Sequence, residues 1–287
     1  MPVWVHELLI APLAFALAYG QVRRALGARR AAIELGALVI YGLALERSAM
    51  WLFASHDYRS AWLIAPAGVP LAIALTWAAL IVSALGLGAR LGFRTPLARA
   101  LAAALVATAL DLLIEPVAVR GGLWRWTPPG AWLGVPLGNF VGWAIVVGAY
   151  GWGTERFARD ASTGRQVLRR GLLALASIAL LLGVGLLWTS AGCERLFDGG
   201  RGLVVGYGVW LATAVVALTA RLRAREATCH SSARAVAASG GAPGLVFALV
   251  GATFAFDAAL LGRPELWPAT VVALTTLASV LLSGRAS

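Results

Sequence analysis

The sequence predicts an all-α fold: a polytopic integral membrane helical bundle of eight or nine transmembrane helices. Of the 287 residues, 60% are hydrophobic and only 13% are charged, whereas soluble domains average roughly 45–50% apolar and 25% charged residues. The mean hydropathy is +0.80. The apolar residues also cluster in stretches of about 20 residues, which is the length that a helix needs to cross a bilayer.

Nine such stretches follow one another along the chain, separated by short segments that contain arginine. We place the spans at residues 3–20, 31–54, 61–86, 100–117, 132–152, 171–191, 202–220, 243–261 and 266–283. The last pair also fits a single re-entrant hairpin, which gives the range of eight to nine. We expect residues 1–287 to form a single transmembrane domain, with a functional core at about 31–155 and C-terminal helices at about 171–283.

The positive charge alternates with the spans. The net charge is +11, and all 24 basic residues are arginines. Seventeen of them follow spans one, three, five, seven and nine, and the other seven lie on the opposite side. Cytoplasmic loops are enriched in basic residues, so this pattern predicts an outer N-terminus and a cytoplasmic C-terminus, in what we expect to be a bacterial inner membrane. Charge that flanks helices in this way argues against nucleic acid as a partner.

Two segments of the chain align without gaps. Residues 67–77 read AGVPLAIALTW and residues 133–143 read LGVPLGNFVGW, so GVPL and a tryptophan (Trp77, Trp143) recur at the same spacing. Each segment opens a span, and each follows a helix that carries an acid near its end, Glu46 or Glu115. The pattern predicts that spans two to five form two helical hairpins in a parallel repeat, related by an axis along the membrane normal. Membrane sites often form at such repeat interfaces.

The acids inside the predicted membrane gather at one depth. Glu46, Asp111 and Glu115 lie in the outer parts of their spans, and an ionisable group within a span is costly and indicates a functional site by default. Asp111 and Glu115 are four residues apart and share one helix face. Since two such close carboxylates cannot both ionise easily, one should hold a proton as a potential general acid. The alternative is an interfacial pair neutralised by Arg120 or Arg47.

The loop after the paired acids is rich in tryptophan. Trp124 and Trp126 lie in it, and indole faces stabilise a cation within about 6 Å, although an aromatic belt at the membrane surface is an alternative explanation. Asn139 needs a polar partner at its depth. We interpret His6 and His56 as interfacial residues. The sequence has no DDxxD, HExxH or phosphate-loop motif and no histidine cluster, so we expect no metal and no cofactor.

The stretch from Asp111 to Trp143 resembles a known family. It reads D-x-x-x-E-P, then G-x-W-x-W, then G-V-P-x-x-N-F-x-G-W, and the resemblance covers about residues 35–155. It is similar to the membrane carotenoid biosynthesis proteins, which include carotenoid 1,2-hydratases and bisanhydrobacterioruberin hydratases. The resemblance implies a cofactor-independent hydro-lyase that hydrates a terminal C=C of an acyclic carotenoid such as lycopene, with the carotenoid or lipid substrate held in the bilayer.

The residue roles that we expect come from this chemistry. Glu115 is the expected proton donor, Asp111 the partner that keeps the shared proton in place, and Asn139 and Glu46 would orient the attacking water. The side chains expected to bind the polyene end are Trp124, Trp126, Trp143, Trp77, Phe140, Arg120 and Tyr58. Two alternatives stay open. One is a lycopene cyclase, in which an internal double bond captures the cation, and the other is a carotenoid-binding or transport protein without chemistry.

Overall fold

The computed structural model describes residues 2–58, 61–91, 93–158, 163–197, 200–228 and 242–283. These residues are mostly helical. The long helices are α1 (Val3–Leu26, with a π-helical turn at His6–Ile10), α2 (Ala28–Phe53), α3 (Leu71–Arg90), α4 (Pro96–Gly121), α5 (Leu137–Gly153), α6 (Thr163–Ser190), α7 (Arg201–Thr228), α8 (Ala242–Leu261) and α9 (Trp267–Ser283).

Within the described residues, six helices are long and apolar enough to cross a membrane, namely α1, α2, α3, α4, α6 and α8. Helices α5 and α9 have 17 residues each, and the apolar part of α7 is the shorter stretch Val204–Val216. The chain is therefore an integral membrane protein built mainly of helices. The count of eight or nine spans and the orientation of the termini stay predictions.

The third and fifth helices begin later than predicted. The expected spans started at residues 61 and 132, but α3 begins at Leu71 and α5 at Leu137. The residue before each helix is a proline in an extended conformation, Pro70 with φ −62° and ψ 130° and Pro136 with φ −63° and ψ 138°. A proline also disfavours helix in the residue before it, so the apolar residues upstream form loops instead of an extra helical turn.

The two loops share a second backbone feature. Ala67 and Gly68 have φ of +53° and +82°, and at the aligned positions Leu133 and Gly134 have φ of +54° and +95°. Two successive left-handed residues are uncommon, and residues with a side chain adopt this conformation only at a cost in strain. The aligned segments therefore share their backbone conformation as well as the letters GVPL.

A two-stranded antiparallel ribbon departs from the all-α expectation. Strand β1 (His56–Tyr58) follows α2, and strand β2 (Trp124–Trp126) follows α4. The register sets His56 opposite Trp126, Asp57 opposite Arg125, and Tyr58 opposite Trp124. Asp57 and Arg125 also form an exposed ion pair at 2.8 Å. The ribbon ties the loop between α2 and α3 to the loop between α4 and α5.

Helix α4 lies at the centre of the bundle, in contact with α3, α5, α7, α8 and α9. Small side chains on the helix let its neighbours approach closely, as is common in membrane bundles. The buried small residues include Ala102, Ala103, Ala104, Ala107 and Ala109. Asp111 and Glu115 follow on the same helix, and both are buried in its C-terminal half.

A proline inside α4 fixes part of the loop that follows it. Pro116 lacks an N–H group, so the carbonyl oxygen of Leu112, four residues earlier, loses its usual helical donor. The indole Nε1 of Trp132 donates to that oxygen at 3.0 Å, and Trp132 is fully buried. The proline beside Glu115 thereby anchors the segment that leads into α5.

Gly42 lets α2 approach α3 closely near Glu46. A Cβ atom added at Gly42 would lie 3.3 Å from the Cβ of Trp77, which is tighter than most such contacts. Glu46 lies one turn beyond Gly42 on the same face of α2. The close approach places the carboxylate of Glu46 within reach of the Trp77 indole.

Candidate active site

A cavity of about 600 Å³ lies between helices α1 to α6 and α8 and is bounded by the β1–β2 ribbon. This volume is in the usual range for small-molecule sites. Nine of the eleven predicted site residues line it: Glu46, Tyr58, Trp77, Asp111, Glu115, Trp124, Trp126, Asn139 and Trp143. The other two lie outside the lining. Phe140 packs in a separate apolar cluster with Leu112 and Trp132, and Arg120 lies in the last turn of α4.

Glu115 is held by two indoles from the ribbon. Its Oε2 atom accepts hydrogen bonds from Nε1 of Trp124 at 2.9 Å and from Nε1 of Trp126 at 2.8 Å. Both tryptophans belong to β2, so the ribbon register aims their indole N–H groups at the end of α4. The tryptophans predicted to contact a cation therefore also fix the position of the carboxylate.

Asp111 lies one turn deeper on α4 and is fully buried. Its Oδ2 atom accepts a hydrogen bond from Nδ2 of Asn139 at 2.9 Å, which supplies the polar partner that the Asn139 amide needs. Its Oδ1 atom has no hydrogen-bond partner among the described residues. Asp111 and Glu115 therefore form a close pair of carboxyls in which Glu115 receives two N–H donors and Asp111 receives one.

Glu46 approaches the cavity from α2 with both carboxylate oxygens engaged. Oε1 accepts from Nε1 of Trp77 at 2.6 Å, and Oε2 lies 3.0 Å from Nε2 of His56. The other ring nitrogen of His56, Nδ1, lies 3.1 Å from the hydroxyl oxygen of Ser55. Glu46 thus belongs to a chain of polar groups that leads through His56 into the loop before β1.

Aromatic rings cover much of the cavity surface. Trp77 and Trp143, which occupy matching positions in the two aligned segments, stack with ring centroids 3.8 Å apart and planes at 15°. His56 lies 4.8 Å from Trp126, and Tyr58 contacts Trp124 edge-on at 6.0 Å. Electron-rich faces therefore lie next to the carboxyl groups, an arrangement that can stabilise a transient cation.

The ribbon carries two groups with altered acidity. Burial disfavours the imidazolium form of His56, but the hydrogen bond to Glu46 and the nearby charges of Glu46, Glu115 and Asp57 outweigh burial and raise its pKa. Burial, reinforced by the carboxylates of Glu46 and Glu115, raises the pKa of Tyr58 well above its usual range. We expect His56 to stay protonated to a higher pH than a free histidine does, and Tyr58 to stay neutral.

Sequence reasoning missed several residues that the fold brings to the cavity. His56, interpreted as interfacial, contacts Glu46 directly. His6 also lines the cavity, and its Nε2 lies 2.8 Å from Oδ2 of Asp257, which links α1 to α8. The His6–Asp257 pair is separated by 251 residues, so no local sequence pattern could have indicated it. For His56, the ten-residue separation from Glu46 across a predicted helix end was an available signal.

Glu194 is a further residue that the sequence did not indicate. It lies in the 3₁₀ turn Cys193–Phe197 after α6. Its carboxylate accepts hydrogen bonds from the backbone N–H groups of Leu137 at 3.1 Å and Gly138 at 2.7 Å, and from Nε1 of Trp188 at 2.8 Å. A carboxylate at a helix start satisfies unpaired N–H groups and favours the helix dipole. Glu194 therefore fixes the start of α5, next to Asn139.

Loss of this cap should destabilise the protein. We expect Glu194→Ala to lower the free energy of unfolding by about 1–2 kcal/mol, because the amides of Leu137 and Gly138 lose their acceptor. The measurement is a thermal unfolding curve of the purified protein in detergent. Arg125→Gln is the matched control, since it breaks an exposed ion pair of the kind worth at most about 1 kcal/mol. Equal melting temperatures for the two variants would contradict the capping role.

The described residues include no group of three or more His, Cys, Asp or Glu side chains placed to hold a metal ion. The polar side chains that line the cavity include the carboxyl groups of Glu46, Asp111, Glu115 and Glu194, the guanidinium of Arg195, and the indole, imidazole and amide partners of these carboxyls. These groups can transfer protons and stabilise charge. Any chemistry that they perform directly is acid–base chemistry.

Apolar helices of spanning length around an aromatic cavity with buried carboxyls describe an integral membrane protein with an internal cavity. The sequence model of the carotenoid biosynthesis protein family matches residues 4–208. The chain belongs to the carotenoid biosynthesis protein family, and this membership indicates an enzymatic role. No curated protein and no solved structure matches the chain.

Proposed function

We propose that the protein hydrates the terminal C=C of an acyclic carotenoid end group by acid catalysis. The observation that carries the proposal is the buried pair Asp111 and Glu115, hydrogen-bonded to an amide and two indoles within an aromatic cavity. Protonation of the less substituted alkene carbon gives a tertiary cation, and water then adds to it. The acid, the cation-stabilising faces and a base for the water are the groups that this reaction needs.

The hydrogen bonds favour a division of roles that differs from the one expected from sequence. N–H donors stabilise a carboxylate, and Glu115 accepts two of them while Asp111 accepts one. Asp111 is also the more deeply buried, with 0% of its surface exposed against 7% for Glu115. We therefore assign the shared proton to Asp111, which acts as the donor, while ionised Glu115 keeps the proton on its neighbour.

Glu46 is the proposed base. As water attacks the cation, one of its protons passes to the Glu46 carboxylate, so the alkene gains one proton from Asp111 and one hydroxyl from water. Trp77 and His56 hold the two oxygens of Glu46, and the stacked Trp77 and Trp143 lie beside it. A cyclase also needs a base, because the cyclised cation must lose a proton, so the Glu46–His56 contact serves either reaction and the mass of the product decides between them.

Expression of the protein in a host that makes lycopene tests the proposal. Hydration predicts pigments heavier than lycopene by the mass of one or two water molecules. Pigment of unchanged mass with an altered retention time would contradict hydration and indicate a cyclase. Unaltered pigment that copurifies with the protein would contradict both and indicate a binding or transport role. The matched control is the host carrying the Asp111→Asn variant at the same membrane level.

We further propose the finer architecture: one transmembrane domain of eight or nine spans with an outer N-terminus and a cytoplasmic C-terminus, in which α2–α3 and α4–α5 form a parallel repeat. The shared backbone of the aligned loops and the contact of Trp77 with Trp143 support the repeat. An experimental structure in which no single rotation about the membrane normal superposes the two hairpins would contradict it. Single cysteines labelled from either side of the membrane test the orientation.

A further inference from the structure

The proposed hydration leaves two carboxyl groups in the wrong protonation state for a second turnover. After each turnover Glu46 carries a proton taken from water, and Asp111 has given one to carbon. The overall reaction consumes no proton, so one must leave Glu46 and one must return to Asp111 before the next turnover. The lining of the cavity is largely apolar, and protons move along such a surface through connected polar groups.

One connected set of polar groups leads from Glu46 through His56 to Ser55, which lies on the lining of the same cavity. Oε2 of Glu46 lies 3.0 Å from Nε2 of His56, and Nδ1 of His56 lies 3.1 Å from the hydroxyl of Ser55. His56 itself is 9% exposed, while Ser55 is half-buried. Both ring nitrogens are therefore engaged, one by the cavity carboxylate and the other by a hydroxyl that can donate or accept.

We propose that His56 is the proton relay that returns Glu46 to its ionised form, passing the proton of Glu46 through Ser55 to water, while Asp111 regains its proton from solvent. This inference rests on the proposed hydration. An imidazole with a partner on each nitrogen can take up a proton on one side and release one on the other. No other described histidine contacts Glu46.

At rest His56 is the imidazolium and donates Nε2–H to ionised Glu46. When Glu46 takes a proton from water, the imidazolium loses its counter-charge and releases the Nδ1 proton to the Ser55 hydroxyl, which passes a proton on to solvent. A half-turn of the ring presents the bare nitrogen to Glu46, takes its proton and restores the pair. The raised pKa of His56 agrees with an imidazolium at rest.

Groups from every side of His56 support this resting charge. Glu46 contacts it from α2, Glu115 lies nearby on α4, and Asp57 is its neighbour in β1. The Trp126 ring packs against it at 4.8 Å from β2. The ribbon strands also carry one cation, Arg125, and its guanidinium is paired with Asp57. The surroundings of His56 are therefore negative in balance.

The test separates the first turnover from the later ones. With purified protein in detergent and lycopene as the probe, the relay predicts that His56→Gln still makes about one hydrated product per protein at close to the wild-type rate. Its steady-state rate should fall by about 10²-fold, the usual contribution of a proton-transfer group. Imidazole added to His56→Ala should restore steady-state turnover in proportion to its concentration. Arg125→Gln, which alters the exposed face of the same ribbon, is the matched control and should keep wild-type kinetics.

Three outcomes would overturn the relay. One is a wild-type steady-state rate in His56→Gln. Another is an equal loss of first and later turnovers without imidazole rescue, which would mean that His56 only holds Glu46 and the ribbon in place. The third is the absence of hydrated lycopene from the wild-type protein, which would overturn the hydration proposal as well. The first two leave wild-type hydration intact, so the two proposals fail in distinguishable ways.

Discussion

Asp111→Asn should reduce the yield of hydrated carotenoid by about 10²–10⁴-fold, which is the usual cost of losing a general acid. Asparagine keeps the size of the side chain, and its amide oxygen can still accept the hydrogen bond from Nδ2 of Asn139. The variant should therefore fold and insert normally. It lacks the acidic proton, however, and without that proton the cation does not form.

The measurement is pigment mass analysis at matched membrane levels of protein. Glu115→Gln is the informative companion, because it removes the charge that keeps the proton on Asp111 but leaves the donor itself, so its loss should be smaller. Arg263→Gln, at an exposed position between α8 and α9, serves as the control. A larger loss in Glu115→Gln than in Asp111→Asn would instead support Glu115 as the donor, as the sequence alone led us to expect.

Glu46→Gln should produce the second-largest loss, about 10²-fold in hydrated product, because the attacking water loses its base. The glutamine can keep both neighbours: its oxygen accepts from Trp77, and its amide donates to Nε2 of a neutral His56 that carries its proton on Nδ1. The cation would still form on protonation by Asp111. Without a base for the water, it should return the proton or lose another one and give an alkene.

The competition between addition of water to the cation and loss of a proton from it can be measured by isotope exchange. In deuterated solvent, Glu46→Gln should incorporate deuterium into the recovered lycopene while making little hydrated product. Asp111→Asn should do neither, which makes the two variants controls for each other. Hydration at the wild-type rate in Glu46→Gln would contradict the assignment of the base. Loss of both signals would place Glu46 in the protonation step.

The sequence contained enough information to locate the membrane helices and the buried acids. Hydropathy and helix length are local properties, and the four-residue spacing of Asp111 and Glu115 fixes their shared face whatever the tertiary packing. The late starts of α3 and α5 could also have been predicted, from Pro70 and Pro136. The residues before these prolines were assigned to helix because they are apolar, and apolar stretches of a membrane protein usually belong to its helices.

The contacts that complete the site join residues that are far apart in the sequence, so local sequence patterns could not predict them. Glu194 reaches the start of α5 from a turn 56 residues away, and His6 meets Asp257 across 251 residues. The direction of the Trp124 and Trp126 indoles depends on the ribbon register, which a sequence of mostly helical segments did not reveal. The division of N–H donors between Asp111 and Glu115 follows from that register, so the donor could not be chosen from spacing alone.

The aromatic lining of the cavity has an optical consequence. Of the 12 tryptophans in the chain, six line the cavity: Trp62, Trp77, Trp124, Trp126, Trp143 and Trp188. A conjugated polyene held in contact with these rings should accept their excitation energy and quench their emission. Intrinsic fluorescence of the protein should therefore fall when a carotenoid occupies the cavity, so binding and release of the proposed substrate should be measurable without any added label.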